Sequence, residues 1–249
     1  MIRDLQLAEA AMPLLMGAAA GAYYATYAVR SQWLGPTDWH GRTDTSSVAL
    51  TFDDGPSADT ELVLNVLRQY KAPATFFMLG RQVECHPNTA RRVVAEGHEI
   101  GNHSYSHPIY LYSGARVVQR EMQDAQGAII RITGVRARFS RPPCGVRTPA
   151  YFSVARQMNL RTVQWTVAGM DWKNLRARQI AREVLKNVRP GSIILLHDGD
   201  SACKHDRMET VLALPLIIKG LRRRRLNIVP LSELVRCQDK RGRTKPNLC

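Results

Sequence analysis

Val48-Ala49-Leu50-Thr51-Phe52-Asp53-Asp54-Gly55-Pro56 decides how this chain is read. A short apolar strand runs into two adjacent carboxylates, and Gly-Pro turns the backbone at once. Successive strand side chains point to opposite faces, so Asp53 and Asp54 can share a face only where the strand ends. Two acids placed together repel, and their pKa values separate unless a cation sits between or beside them. The pair is therefore a candidate metal ligand plus general base. The same letters also suit a plain surface turn, since Asp, Gly and Pro are all turn formers. Their surroundings in the sequence decide between the two.

From Ser47 onward, strand-like and helical patterns alternate. Strands are expected at Val48–Phe52, Thr75–Leu79, His98–Gly101, Arg138–Ser140, Thr162–Val167, Ser192–Leu196 and Asn227–Val229. Between them, Val63, Val66, Leu67 and Tyr70 recur at helical spacing after Asp59, a candidate N-cap. Val117–Ile132 and Ile180–Val188 behave alike, and Val211–Leu221 is a longer apolar helix with Pro215 inside it. Strands that alternate with helices imply a parallel sheet and an α/β fold. The unusual polar residues fall at the carboxyl ends of these strands or just beyond: Asp53-Asp54, Asn102-His103, Arg141, Asp171-Trp172 and His197-Asp198. Parallel sheets and barrels build their sites at that end, so residues far apart in sequence converge on one site.

His103 and His107 are four apart in Gly101-Asn102-His103-Ser104-Tyr105-Ser106-His107-Pro108. On a helical turn, or a tight loop mimicking one, they share a face and can grip one metal. Two imidazoles with the Asp54 carboxylate and open positions suit a hydrolytic divalent ion, zinc first, with cobalt or another divalent ion as alternatives. His40, His86, His98 and His205 have no such context and read as structural or solvent-facing.

Assembled in order, these residues resemble the polysaccharide deacetylases with the NodB homology domain, carbohydrate esterase family 4, over roughly Ser47 to Val235. The resemblance implies a distorted (β/α)7 barrel related to the TIM barrel. Thr51-Phe52-Asp53-Asp54-Gly55-Pro56 is similar to the family's first motif, which implies Asp53 as catalytic base and Asp54 as metal ligand. His103-Ser104-Tyr105-Ser106-His107 resembles the second, which supplies both histidine ligands. Arg141-Pro142-Pro143-Cys144-Gly145 resembles the third, whose arginine orients the base and whose Pro143 and Cys144 positions meet substrate. Asp171-Trp172 is similar to the end of the fourth motif. Leu195-Leu196-His197 is similar to the fifth, whose leucine lines the acetyl pocket and whose histidine is the acid. Two departures stand out: Ala168 occupies a place that often carries an acid, and Cys144 a place that is often aromatic.

The chemistry these residues suit is amide hydrolysis. Asp53, kept ionised by Arg141, would take a proton from water. A divalent ion would polarise the carbonyl, and the Cys144 backbone N–H would help to hold the oxyanion. His197, its pKa raised by Asp171, would protonate the departing amine, and Trp172 would offer an apolar face to a sugar ring. The expected substrate is an N-acetylglucosamine polymer, peptidoglycan or chitin-type. A deacylase or deformylase of a lipid-linked amino sugar and a catalytically silent carbohydrate-binding module are the competing readings.

The remaining features set the context. The 249 residues, 45% hydrophobic, can bury one large core. With 35 Lys and Arg against 21 Asp and Glu, the net charge is +14, which favours polyanions. No RNP, zinc-finger or helix-turn-helix signature accompanies the charge, so nucleic acid is not expected as a partner, and no protein partner is expected either. Much of the excess is local, in Lys219–Arg225 and Lys240–Lys245, and reads as a solvated helix end and a basic tail. Cys85, Cys144, Cys203, Cys237 and Cys249 are scattered singly, which argues against a zinc cluster or a disulfide-dense scaffold. Ala10–Val29 carries 20 residues without a charge, just long enough to span a bilayer. The expected organisation is a membrane anchor or signal over residues 1–30, a linker over 31–46, the catalytic domain over 47–236 and a tail over 237–249. Residues 10–29 would contact the membrane, with the catalytic domain outside it in the cell envelope, or the protein would be secreted.

Overall fold

The computed structural model describes residues 2–235, with the side chains of residues 2–11 and 14 left undescribed; Cys237, Cys249 and the basic tail lie outside the described residues. Helix α1 (Ile2–Tyr27) leads through an irregular segment to β1 (Ser47–Asp53), α2 (Ala58–Tyr70) and β2 (Thr75–Met78). Two short helices, α3 (Gly80–Cys85) and α4 (Pro87–Ala95), precede β3 (Glu99–Asn102). Then come α5 (Ala115–Thr133), β4 (Phe139–Ser140), α6 (Pro149–Gln157), β5 (Arg161–Thr162) and β6 (Val167–Ala168). The chain continues with α7 (Ala177–Asn187), β7 (Ile193–His197), α8 (Met208–Arg223), β8 (Asn227–Ile228) and α9 (Leu231–Leu234).

All strand pairs are parallel, in the order β5-β4-β3-β2-β1-β7-β6, with β8 beside the amino half of β1. This is a parallel-strand half-barrel, open between β5 and β6. The expected Thr162–Val167 strand is in fact these two short strands, one on each edge of the gap. The segment at Asp38 and Trp39 fills the opening between them: Asp38 bridges Val163 in parallel, and Thr166 Oγ1 donates to Trp39 O at 2.7 Å. Residues of the expected linker thus help to close the ring.

β1 is buried along nearly its whole length, as a central parallel strand should be. Its even residues Val48, Leu50 and Phe52 face the helices and join the main core, where Phe52 stacks on Phe76 with ring centroids 5.1 Å apart. Each such buried side chain stabilises the fold by about 1.5–3 kcal/mol. Its odd residues face the barrel interior, where Ala49 packs with Phe77, Phe139 and Ile193, and where α9 closes the floor with Leu231 and Leu234. Thr51 and Asp53 share that inward face, so period two alone directs Asp53 into the barrel mouth.

Four helices, α3, α4, α6 and α9, are not expected from the sequence, although α6 opens on Thr148, whose side chain accepts from Tyr151 N, followed by Pro149. α2 starts at Ser57 rather than Asp59: the Ser57 hydroxyl accepts from Asp59 N at 3.0 Å, with Thr60 answering in a reciprocal capping box. The N-terminal expectation is corrected. A helix forms, but among the described residues no helix is long and apolar enough to cross a membrane. Half of Ala10–Val29 is Ala or Gly, and these residues add little apolar surface. The end of α1 is tied to the domain, where Arg147 donates to Thr26 O at 3.4 Å and Ser31 O at 3.0 Å. Cys85, Cys144 and Cys203 are free thiols.

Candidate active site

At the end of β1 the chain bends sharply. Asp54 adopts φ 75°, a left-handed conformation that Asp tolerates better than most residues. The bend breaks the strand alternation and lets both carboxylates serve one mouth. The turn is packed from behind: a Cβ on Gly55 would lie 2.1 Å from Asp198 Oδ2, so only glycine fits there. Asp198 follows β7, takes a hydrogen bond from Thr60 Oγ1 at 2.6 Å, and is pushed up to about 7 by burial.

Asp53 is buried and held by Arg141, whose Nη1 donates to Asp53 Oδ1 at 2.7 Å and to Thr51 Oγ1 at 2.9 Å. The guanidinium also donates to Gln164 O at 3.0 Å and lies 4.1 Å from the Phe77 ring centroid. At 1% exposure, Arg141 is an interior residue whose only carboxylate partner among the described residues is Asp53.

Asp54, His103 and His107 bring one ligand atom each to within 4.8 Å of one another. His103 Nε2 and His107 Nε2 each lie 3.4 Å from Asp54 Oδ1. His103 Nδ1 is 2.7 Å from Arg141 O, so that nitrogen carries a proton and Nε2 is the atom turned to the carboxylate. Burial opposes ionisation of Asp54, but the charge of a protonated His103 beside it outweighs burial and holds its carboxyl below the usual carboxylate range. Burial and the neighbouring His103 push His107 down to about 4, so its ring is neutral near pH 7. Asp54 Oδ1 is buried without a hydrogen-bond partner. An orphaned buried acceptor costs on the order of 1–3 kcal/mol, which a cation at this point relieves. The donor set, its buried orphan and the fixed tautomer all fit a divalent ion.

The two histidines sit on a loop rather than on a helical turn. Ser104 and His107 have φ 74° and 69°, and Glu121 of α5 accepts from Tyr105 N (3.0 Å), Ser106 N (2.7 Å) and Ser106 Oγ (2.7 Å). Glu121 thus shapes the loop between the histidines, and nothing in the sequence around it signals this.

Across the mouth, His197 Nδ1 lies 2.8 Å from Asp171 Oδ1, while His197 N and Thr210 Oγ1 donate to Asp171 Oδ2 at 2.7 and 2.9 Å. Burial alone would push His197 down, but the Asp171 carboxylate outweighs it and the imidazole ends at about 9. Trp172 stands edge-on to His197, ring centroids 5.4 Å apart, with 41% of its surface exposed.

These groups surround one cavity of about 380 Å³. Of the residues expected from the sequence, Asp53, Asp54, His103, His107, Cys144, Trp172, Leu195 and His197 line it. Arg141 and Asp171 stand behind Asp53 and His197, and Pro143 is buried in the turn before Cys144. Cys144 and Gly145 take consecutive left-handed conformations, φ 54° and 69°. Ala168, on β6, pairs with Leu195. The sequence reading did not reach Trp165, Asp200 and Ser201, which with Gly145 and Arg207 complete the lining. Arg207 Nε donates to Gly199 O at 2.7 Å and holds the loop that carries Asp200 and Ser201.

Residues 40–163 match the family model described as polysaccharide deacetylase. A peptidoglycan-N-acetylglucosamine deacetylase of Bacillus cereus is 37% identical over 205 residues, covering 81% of this chain and 94% of the relative. A chitooligosaccharide deacetylase of Bradyrhizobium is 40% identical over 200 residues, 76% of this chain and 91% of the relative. The crystal structure of the Bc1960 peptidoglycan N-acetylglucosamine deacetylase superposes with a TM-score of 0.76 at 35% identity, covering 80% of this chain and 92% of that one.

Proposed function

Because the chain belongs to the polysaccharide deacetylase family, we propose that it is a metal-dependent N-deacetylase of N-acetylglucosamine residues in peptidoglycan or a chitin-type oligosaccharide. One observation carries this reading. A carboxylate–bis-imidazole cluster, an Arg141-held carboxylate and an Asp171-held imidazole face a single cavity.

Asp54, His103 and His107 would hold the ion, and zinc suits two imidazoles and a carboxylate. Bound there, a divalent ion supplies Lewis acidity, polarising an amide carbonyl and making water a stronger acid. Asp53 acts as general base and accepts the proton of the attacking water. Arg141 pairs with Asp53 and fixes its orientation through the 2.7 Å bond. The Cys144 backbone N–H supports the oxyanion of the tetrahedral intermediate. His197 begins as the imidazolium, because Asp171 raises it to about 9, and donates its proton to the departing amine nitrogen. Asp171 accepts from the His197 ring and backbone and so fixes the imidazole for that transfer. Leu195 lines the space for the acetyl methyl group, and Trp172 presents its exposed face to a sugar ring.

We place the catalytic domain in the cell envelope, outside the cytoplasmic membrane, where a peptidoglycan substrate lies. The test is acetate release from N-acetylglucosamine oligomers and from purified peptidoglycan, after chelation and again with zinc or cobalt restored. Metal-dependent release supports the reading, and the preferred polymer separates wall modification from chitin processing. No release from either polymer by metal-loaded protein refutes it.

A further inference from the structure

The rim opposite the cavity carries a concentration of positive charge that the deacetylase chemistry does not use. Each helix that feeds a parallel strand ends at the strand's amino end, so the ends of α7 and α8 lie at the far rim from Asp53 and His197. The register shows this: Ser47, at the start of β1, pairs with Asn227 just after α8, and Gly191, just after α7, donates to Ser47 O. α7 brings Lys186 and, just past its end, Arg189. α8 brings Lys219 and the consecutive arginines 222–225.

All seven are exposed, and none forms an ion pair among the described residues. Two helix C-termini together present about one unit of negative partial charge. Seven cations therefore far exceed what the helix dipoles need. The cluster is one surface rather than two separate helix ends. Arg224 donates to Leu185 O of α7, Arg222 to Tyr70 O of α2, and a Cβ on Gly220 would meet Leu185 at 2.5 Å.

A second feature adjoins it. Met208, Leu212 and Leu216 recur every four residues on α8 and are 40, 55 and 40% exposed, an apolar ridge on the outer face. Lys219 and Arg223 stand three and seven residues beyond Leu216 and continue the same face into the basic rim. Apolar side chains that run into a cluster of cations match a bilayer surface, with the ridge at the acyl boundary and the cations on phosphate headgroups. Among the described residues the rim offers no exposed aromatic ring for a base or sugar to stack on: the half-buried Tyr70 lies beneath Lys219 and Arg222, 5.8 and 5.9 Å from its ring centroid.

We propose that the outer ridge of α8 and the basic rim formed with α7 dock on a bilayer bearing anionic phospholipid, leaving the cavity at the opposite rim open to polymer. The test uses the full chain and vesicles of phosphatidylcholine with and without phosphatidylglycerol, read by co-sedimentation across a salt series. Wild type is expected to bind the anionic vesicles at least tenfold more tightly than the neutral ones, and less tightly as salt rises. A cation near such a surface contributes roughly fivefold to affinity. The triple variant Lys186→Glu, Arg189→Glu, Arg223→Glu should therefore lose at least about a hundredfold. Leu212→Ser with Leu216→Ser should weaken binding while keeping its salt dependence. Both variants should deacetylate a soluble oligosaccharide like wild type, which shows that the fold is intact and keeps this test separate from that of the deacetylase reading. Equal binding to both vesicle types, undiminished binding by the charge-reversed variant, or tighter binding to duplex DNA than to vesicles at the same salt overturns the proposal.

Discussion

Asp171→Asn tests the acid directly, because the structure fixes both the direction and the size of its effect. Burial alone would hold His197 below its ordinary 6.5, yet the imidazole sits at about 9 beside the Asp171 carboxylate. Losing that carboxylate removes the main source of this rise, which is about 2.5 pKa units or on the order of 3 kcal/mol at 1.36 kcal/mol per unit. The asparagine amide oxygen can still accept from Nδ1, so the tautomer and ring position persist and the change is mainly electrostatic. With the imidazole back at about 6.5, the imidazolium fraction at pH 8 falls from about 0.9 to about 0.03, a loss of about thirtyfold in kcat/KM, whereas at pH 6 the variant approaches wild type. An ion at the Asp54 cluster shifts both enzymes alike, so the displacement between their alkaline limbs is the readout. The assay is kcat/KM for a soluble N-acetylated oligosaccharide from pH 5.5 to about 10. A uniform loss at every pH, with the alkaline limb unmoved, would show that His197 is not the proton donor. Stability follows the same sign. The folded pKa of His197 is raised, so the pair stabilises fully below about 6.5 and progressively less as pH rises through about 9. The Tm gap between wild type and variant should therefore narrow towards alkaline pH.

The other predictions concern the opposite wall. Asp53→Asn should keep the metal and lose about a hundredfold or more in kcat; metal content by elemental analysis beside turnover separates the two effects, and wild-type rates would remove Asp53 as base. His103→Ala should bind less than stoichiometric zinc after dialysis, and an unchanged content would exclude it from the ligand set. Glu121→Ala frees three donors of the histidine loop. It should weaken metal affinity at least tenfold with little effect on Tm, measured by competition with a chromogenic chelator, and an unchanged affinity would mean that the loop holds its shape without Glu121. Gly55→Ala forces a Cβ to 2.1 Å from Asp198 Oδ2 and should lower both soluble yield and Tm; a Tm equal to wild type would show that the turn relaxes freely.

Much of the site was legible because the chemistry sits in short motifs at strand ends. The inward-facing parity of Asp53 follows from the β1 pattern, and the histidine spacing suggested a shared ligand. Long-range support was not legible. Glu121 is a mid-helix acid, Thr210 a helix residue 39 positions from Asp171, and Asp198 an ordinary follower of His197 until its packing on Gly55 is visible. Of the two settings expected for His103 to His107, the tight loop is the one that forms, because Glu121 captures the N–H groups of Tyr105 and Ser106. The single strand expected over Thr162–Val167 fails because two opposite sheet edges each claim one end of it. Six residues of strand pattern cannot state which neighbour they will pair with.

By itself, then, the sequence determined the alternation of strands and helices, the parallel sense of the sheet and the identity of the groups at its carboxyl end. These depend on local patterning and backbone geometry, which act over a few residues. The tertiary structure alone decided which groups meet: Arg141 on Asp53, Asp171 on His197, Glu121 on the histidine loop and Asp198 on Gly55. It also brought the cations of α7 and α8 onto one rim. Each of these contacts joins segments tens of residues apart, and its energy depends on distance and burial, which exist only once the chain has folded.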